Sequence, residues 1–203
     1  SSKAGLLSMT GRWKEGLQLL RDLLPQARQR GNLQMVSNIC DHLAGIQIEL
    51  VRLGQVEGRA RDAALAEAEA ALTESIQVGT LGGMDEVSSL CQLGTLCALK
   101  GQFGEARRLI AKAREIAAEH TTAWTELSLQ VAARDLAEAE GRWANARAAT
   151  EEIAAGQAKL GRRWHWAREL MSWAALHVQM GQPTDLQRAQ ALMREARSAF
   201  AEM

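Results

Sequence analysis

Gly141-Arg142-Trp143-Ala144-Asn145-Ala146 decides the fold, because close copies of it recur along the chain. Gly11-Arg12-Trp13-Lys14-Glu15-Gly16 and Gly101-Gln102-Phe103-Gly104-Glu105-Ala106 keep the glycine, the aromatic and the small residue at the same offsets. Weaker copies begin at Gly54-Gln55-Val56 and at Gly181-Gln182, the latter running on to Ala189. Successive glycines lie about 40 to 47 residues apart, inside the range of roughly 20–50 residues in which a period signals stacked repeats. Each unit of such an array buries its apolar face only against its neighbours.

Between the glycines the spacing of apolar residues is helical. Lys3 to Met9 reads as the last turns of a helix whose beginning is missing. Leu17, Leu20 and Leu24 mark one face of a helix from Trp13 toward Arg30, and Gly31 ends it. Pro25 lacks the N–H that would reach Arg21, which predicts a kink or break there. From Leu33 to about Leu53 the stripe is Val36, Ile39, Leu43, Ile46 and Leu50, broadened by Cys40, Ala44, Ile48 and Val51. That width suits a helix packed between two neighbours. A helix from about Val56 to Val78 is expected to bury Ala60, Ala64, Ala68, Ala71 and Leu72, with Gly79, Gly82 and Gly83 as a flexible joint after it.

Asp85 is an expected N-cap for the helix carrying Val87, Leu90, Cys91, Leu93, Gly94 and Cys97. Phe103 to about Glu119 is plainly amphipathic: Phe103, Ala106, Leu109, Ile110, Ala113, Ile116 and Ala117 form one side. Thr121 and Thr122 cap a helix to about Glu140, and Trp143 opens the next, which ends near Leu160 before Gly161. Arg162 to Met180 is apolar on two sides, with Trp164, Ala167, Met171, Ala174 and Val178 on one and Trp166, Leu170, Trp173 and Leu176 on the other. Gly181 and Pro183 break the chain, and Thr184-Asp185-Leu186-Gln187 has capping-box spacing for a last helix to about Glu202.

Composition fits such an array. Among 203 residues, 24 basic and 24 acidic side chains balance, so no global field draws the chain to nucleic acid or an anionic membrane. Helix formers dominate, tyrosine is absent, and only two prolines interrupt. Cys40, Cys91 and Cys97 are odd in number and form no C-x-x-C pair, which argues against a disulfide framework or a thiolate zinc site and for the reducing cytoplasm. No apolar run has the roughly 18 residues that a membrane span needs.

The recurring glycine, aromatic and small residue at Gly101–Ala106, Gly141–Ala146 and Gly11–Gly16 resemble the second helix of the tetratricopeptide repeat (TPR). The period exceeds the standard repeat of about 34 residues, and the usual first-helix tyrosine is missing. Longer repeats of this kind are similar to the C-terminal sensor domains of bacterial ATP-dependent transcription activators and to arrays in related signalling regulators. The ending from Gly181-Gln182-Pro183-Thr184-Asp185-Leu186 through Ala189 to Met203 is of the same type. The resemblance implies an all-α, right-handed superhelical solenoid of antiparallel helix pairs. It would have about nine helices and span 1–203 as a single repeat domain, expected to be an excerpt of a longer chain.

The function so implied is a non-catalytic scaffold or sensor that recognises a peptide, protein or small effector in its concave groove. The alternative is the regulatory C-terminal region of a multidomain signalling ATPase, cyclase or transcription activator, contacting a catalytic or DNA-binding domain of the same chain. The first helices of TPR pairs line the concave face, which makes Asn38, His42, Gln92, Trp124, Gln130, Arg134, Trp164, Arg168 and His177 the candidate binding residues. End repeats without neighbours could pair two copies through their terminal helices.

Catalytic and cofactor chemistry finds no support in the residues. His42, His120, His165 and His177 are scattered, no H-E-x-x-H occurs, and neither a nucleophile elbow, a phosphate loop nor a dinucleotide fingerprint is present. No cofactor or metal is expected. Arg162, Arg163, Trp164, His165, Trp166, Arg168 and Trp173 are the one cluster with the basic and aromatic character that stacks on bases. Tryptophan at helical spacing is the commoner mark of packing, so nucleic-acid binding is the disfavoured reading.

Overall fold

The computed structural model describes residues 3–4, 7, 10–82, 86–119 and 122–202, apart from the side chain of Trp164. Among them no strand occurs. The helices are α1 (Trp13–Gln29), α2 (Leu33–Arg52), α3 (Gly58–Gly82), α4 (Val87–Leu99), α5 (Phe103–Glu119), α6 (Ala123–Ala139), α7 (Trp143–Lys159), α8 (Arg163–Met180) and α9 (Pro183–Ala201). They fall into two compact units, Ser1–His120 with α1 to α5 and Thr121–Met203 with α6 to α9.

Gly141 shows how the chain turns. Its φ of 71° lies in the left-handed region, where a β-carbon would cost roughly 1–2 kcal/mol. The Gly141 N–H donates to the Glu138 carbonyl at 3.0 Å, and the Arg142 N–H reaches back five residues to Ala137 at 2.8 Å. This pair of bonds is the Schellman motif, and it satisfies carbonyls that a helix end leaves open. The same five-residue return joins Asn32 to Ala27, Gln55 to Leu50, Gln102 to Cys97 and Arg162 to Gln157. Each joint starts the next helix antiparallel to the last. Beyond it Trp143 rests half-buried against Ala137, Ala146 and Leu176, and Ala146 is fully buried.

In the first unit Leu17, Leu20 and Ala27 of α1 meet Val36, Ile39, Leu43 and Ile46 of α2 and Leu65, Ala68 and Leu72 of α3 in one core. The pair α4–α5 closes more tightly. A β-carbon on Gly94 would stand 2.9 Å from Cγ1 of Ile110. In the second unit Leu170 and Ala174 of α8 pack on Ala189, Leu192 and Ala196 of α9.

Several expectations are corrected. Pro25 does not break its helix, which runs uninterrupted from Trp13 to Gln29. Its ring costs one backbone hydrogen bond on the exposed side of the helix, while Leu17, Leu20 and Ala27 stay buried on the other. Gly79 is no joint either, for it lies inside α3, which runs on to Gly82. Its Ala60 is exposed while Ala64, Ala68, Ala71 and Leu72 are buried. On α8, Met171 and Val178 are exposed although Ala167 and Ala174 of the same stripe are buried. The last helix starts one residue after Gln182 with no side-chain cap and Pro183 in its first turn, so the capping box at Thr184 does not form. The Thr122 cap on α6 is present, closed reciprocally by Thr125. Asp85, Gly83, His120 and Thr121 lie outside the described residues.

Filling the Gly94 contact should therefore overpack the α4–α5 interface. Gly94→Val is expected to cost about 1–3 kcal/mol in urea unfolding. Much of that loss should disappear when Ile110→Ala is introduced with it, which a double-mutant cycle would read as a coupling term.

Candidate functional site

The expected ligand-facing residues divide between the two units. In the first, Asn38 and His42 stand four residues apart on α2, on one face, and both are exposed. Asn38 accepts a hydrogen bond from Gln34 at 3.3 Å. Gln92 of α4 is half-buried, and its Oε1 is 3.3 Å from where a β-carbon on Gly45 of α2 would be. That oxygen has no hydrogen-bond partner among the described residues. Gly45 thus lets α4 approach α2 closely enough to bring Gln92 beside the Asn38–His42 face.

Beneath this face runs a chain of hydroxyls. Ser37 on α2 meets Ser75 on α3 at 2.9 Å, Ser75 meets Ser89 on α4 at 3.0 Å, and Ser89 donates to Asp41 Oδ1 at 2.7 Å. Burial raises the Asp41 carboxyl above its ordinary value, against the pull of the serine hydrogen bonds and His42. At the outer side, Arg21 and Arg28 of α1 make bidentate pairs with Glu67 and Glu74 of α3, holding both carboxyls below their usual range. Cys40 is buried against Glu74, and burial pushes its thiol up to about 12. Cys40, Cys91 and Cys97 are all buried and none is in a disulfide; burial raises the Cys40 and Cys97 thiols and so disfavours their thiolates.

In the second unit Arg134 of α6 is interior, with 1% of its surface exposed. Its Nη1 lies 2.5 Å from Glu169 Oε2 on α8, and its Nε and Nη2 lie 2.9 and 2.8 Å from Asp135 Oδ1. Arg168 closes the network at 3.2 Å on the other oxygen of Glu169. Burial works against the Arg134 charge, but Asp135 and Glu169 outweigh it and raise its pKa. Arg134 therefore acts as a tie between α6 and α8 rather than as a surface contact.

His177 is likewise buried. Its Nδ1–H donates to Asp185 Oδ1 at 2.7 Å, linking α8 to the first turn of α9. Its Nε2 and the Trp173 Nε1 have no partner among the described residues. Arg188 stands over the Trp173 ring at 5.0 Å. Asp185 lies inside the Thr184–Gln187 stretch that has capping-box spacing in the sequence, and the buried His177 eight residues earlier is what holds it. Gln130 is half-buried and Arg168 partly so, and the Trp164 side chain is outside the described residues.

Trp124 differs from all of these. It lies in the first turn of α6 with 51% of its surface exposed, and the Arg162 guanidinium sits 5.5 Å from its ring. A rigid aromatic and an arginine held together at the surface are the side chains that most often anchor protein interfaces. Among the described residues no group of three or more His, Cys, Asp and Glu could hold a metal ion. None of the helices described is long and apolar enough to cross a membrane.

No family model matches the chain, and no curated protein matches it either. Two crystal structures of a candidate kinesin light chain from Podosopora anserina, with nearly identical TPR-like repeats, are similar to it in fold. The form carrying a single substitution has 20% identity and a TM-score of 0.50, with 92% of this chain and 95% of that one covered. The form without the substitution has 19% identity and a TM-score of 0.49 at the same coverage. The chain is accordingly an all-α helical repeat protein with a TPR-like fold.

Two outcomes follow from the polar interior. Glu169→Ala leaves Arg134 buried with one acid fewer and should cost about 3–5 kcal/mol in denaturant unfolding, whereas replacing Arg134, Asp135 and Glu169 together by Met, Leu and Leu should restore most of the loss. Asp41 supplies a pH dependence. Its carboxyl titrates in the folded state above the ordinary 3.8. Its contribution to stability is therefore fully present below that value and is lost as pH rises through the raised native value. Asp41→Asn keeps an acceptor for Ser89, so it should flatten that part of the stability–pH curve and leave the protein at least as stable at pH 7.

Proposed function

We propose that this protein is a non-catalytic interaction scaffold that captures an extended peptide segment of a partner protein on the faces of its first helices. The observation that carries the reading is Trp124, half-exposed at the start of α6 and held against Arg162. An apolar ring of this size left in water finds its use in being covered, and the guanidinium fixes its orientation beforehand. In the second unit Gln130 and Arg168 are the proposed polar contacts that accompany Trp124, with Trp164 a second proposed aromatic contact. The first unit offers a face of its own in Asn38, His42 and Gln92, where a peptide would exchange hydrogen bonds with side-chain amides and the Gln92 oxygen is unpartnered among the described residues. Arg134 and His177 serve as buried supports of the second unit. The TPR-like fold supports the reading because repeat arrays expose long surfaces of this kind. Three buried cysteines outside any disulfide suit action in the reducing cytoplasm.

The test is selection of extended peptides from a random display library on the intact chain. Trp124→Ala should weaken the selected peptides by about tenfold or more while the thermal midpoint holds, since the ring makes little core contact. Selected peptides that bind Trp124→Ala and Arg162→Ala as well as the parent would defeat the proposal, as would failure to select any.

A further inference from the structure

The contact between α2 and α4 combines a satisfied pair with an unsatisfied one. Ser89 of α4 donates to Asp41 of α2 at 2.7 Å, and one turn further along both helices Gln92 lies against Gly45. Ser89 and Gln92 share a face of α4, and Asp41 and Gly45 a face of α2, by their helical spacing. In the second pair the Gln92 Oε1 is buried and has no hydrogen-bond partner among the described residues.

Gly45 is unusual in its own right. It sits well inside α2, where glycine weakens a helix relative to alanine. Its φ lies outside the left-handed region that would call for glycine. Apart from its own helix, a β-carbon there would meet one atom within 4 Å, the Gln92 Oε1 at 3.3 Å. Gly94 of α4 is different, for its β-carbon would strike the Ile110 side chain at 2.9 Å with the Ala106 carbonyl behind it at 3.5 Å, so helix packing demands that glycine. The room at Gly45 serves the Gln92 amide alone among the described residues.

The bond from Ser89 to Asp41 fixes α4 on α2 one turn away. The Gln92 backbone therefore cannot withdraw, and rotation of the side chain is the way its oxygen leaves. A helical glycine and an unpaired buried oxygen, both unfavourable, coincide at this one spot. The spot belongs to the Asn38–His42 face, since Asn38, His42 and Gly45 follow at i, i+4 and i+7 along α2 with Asn38 and His42 exposed.

We propose that Gln92 is a stored recognition residue of the first unit: its amide rests in the space left by Gly45 and swings out on to the Asn38–His42 face, where Oε1 accepts a backbone N–H of a bound extended segment. The proposal rests on the reading of the chain as a peptide-binding scaffold and adds the residue that gates one of its faces. The hydrogen bond that the oxygen lacks in the free chain is made in the bound one. Apparent affinity then depends on the fraction of molecules in which the amide has left Gly45.

Titration of peptides selected from a random display library on the intact chain tests this. Gln92→Met keeps the length of the side chain and removes the oxygen, so it should raise the thermal midpoint of the free chain and weaken the selected peptides by about tenfold. Gly45→Ala narrows the storage space and pushes the amide outward. It should tighten the same peptides by about threefold or more without lowering the midpoint. In Gly45→Ala/Gln92→Met that gain should vanish, because no amide is left to displace. An equal gain in both backgrounds, no gain in either, a Gln92→Met chain that melts below the parent, or selected peptides indifferent to Gln92→Met would each overturn the proposal and leave the scaffold reading standing. Failure to select any peptide would remove both.

Discussion

The structure depends on one hydrogen-bonding device, the return of an N–H five residues back across a left-handed glycine. Where Arg142 reaches Ala137, the bond closes the helix end and reverses the chain within a few residues. It thereby places Trp143 and Ala146 against the helix just completed. Everything after the joint inherits that register. The last joint is built differently, and the consequences are visible. Gly181 makes a single bond to His177, and Pro183, with no N–H, occupies the first turn of α9. The small residue of the motif then arrives at Ala189, three positions later than its counterparts. The turn this adds brings Asp185 under the end of α8, where His177 meets it.

Alanine-rich helices pack closely but discriminate poorly between registers, because one methyl resembles the next. The two units add discrimination by different chemistry. In the first, serine hydroxyls on α2, α3 and α4 pass hydrogen bonds to Asp41; in the second, a buried arginine bridges carboxylates on α6 and α8. A slip of either network would strand a buried polar group, at a cost larger than the network's own net contribution. The arrangement works as a lock on alignment more than as a source of stability.

How far this is legible depends on the kind of signal. Gly141, Trp143 and Ala146 can be read as a joint because backbone geometry and residue size constrain them locally. The helix from Leu33 can be read from its period, and Cys40, Cys91 and Cys97 as interior from their small apolar character. Arg134 cannot, because hydropathy assigns arginine to water and only the presence of Glu169, 35 residues away, makes burial tolerable. The Thr184–Gln187 stretch misleads for a related reason: a capping pattern is local, whereas the helix starts at Pro183 and the Asp185 inside the pattern is held by His177 through the packing of α8 on α9. Gly79 misleads in the opposite sense. Glycine lowers helix propensity by only about 1 kcal/mol, and the packing of α3 exceeds that.

Repetition itself separates scaffold from surface. Positions that keep one character in every repeat, such as Gly16, Ala106, Ala146 and Ala189, are those whose neighbours never change, and they lie inside. Informative positions are those where the repeats disagree. Leu20, Ile110 and Thr150 share burial but not chemistry. Met193 stands at the same place, exposed, and it is the most adaptable of the four side chains. A thioether with three rotatable bonds conforms to a partner's surface without being shaped by a fixed neighbour.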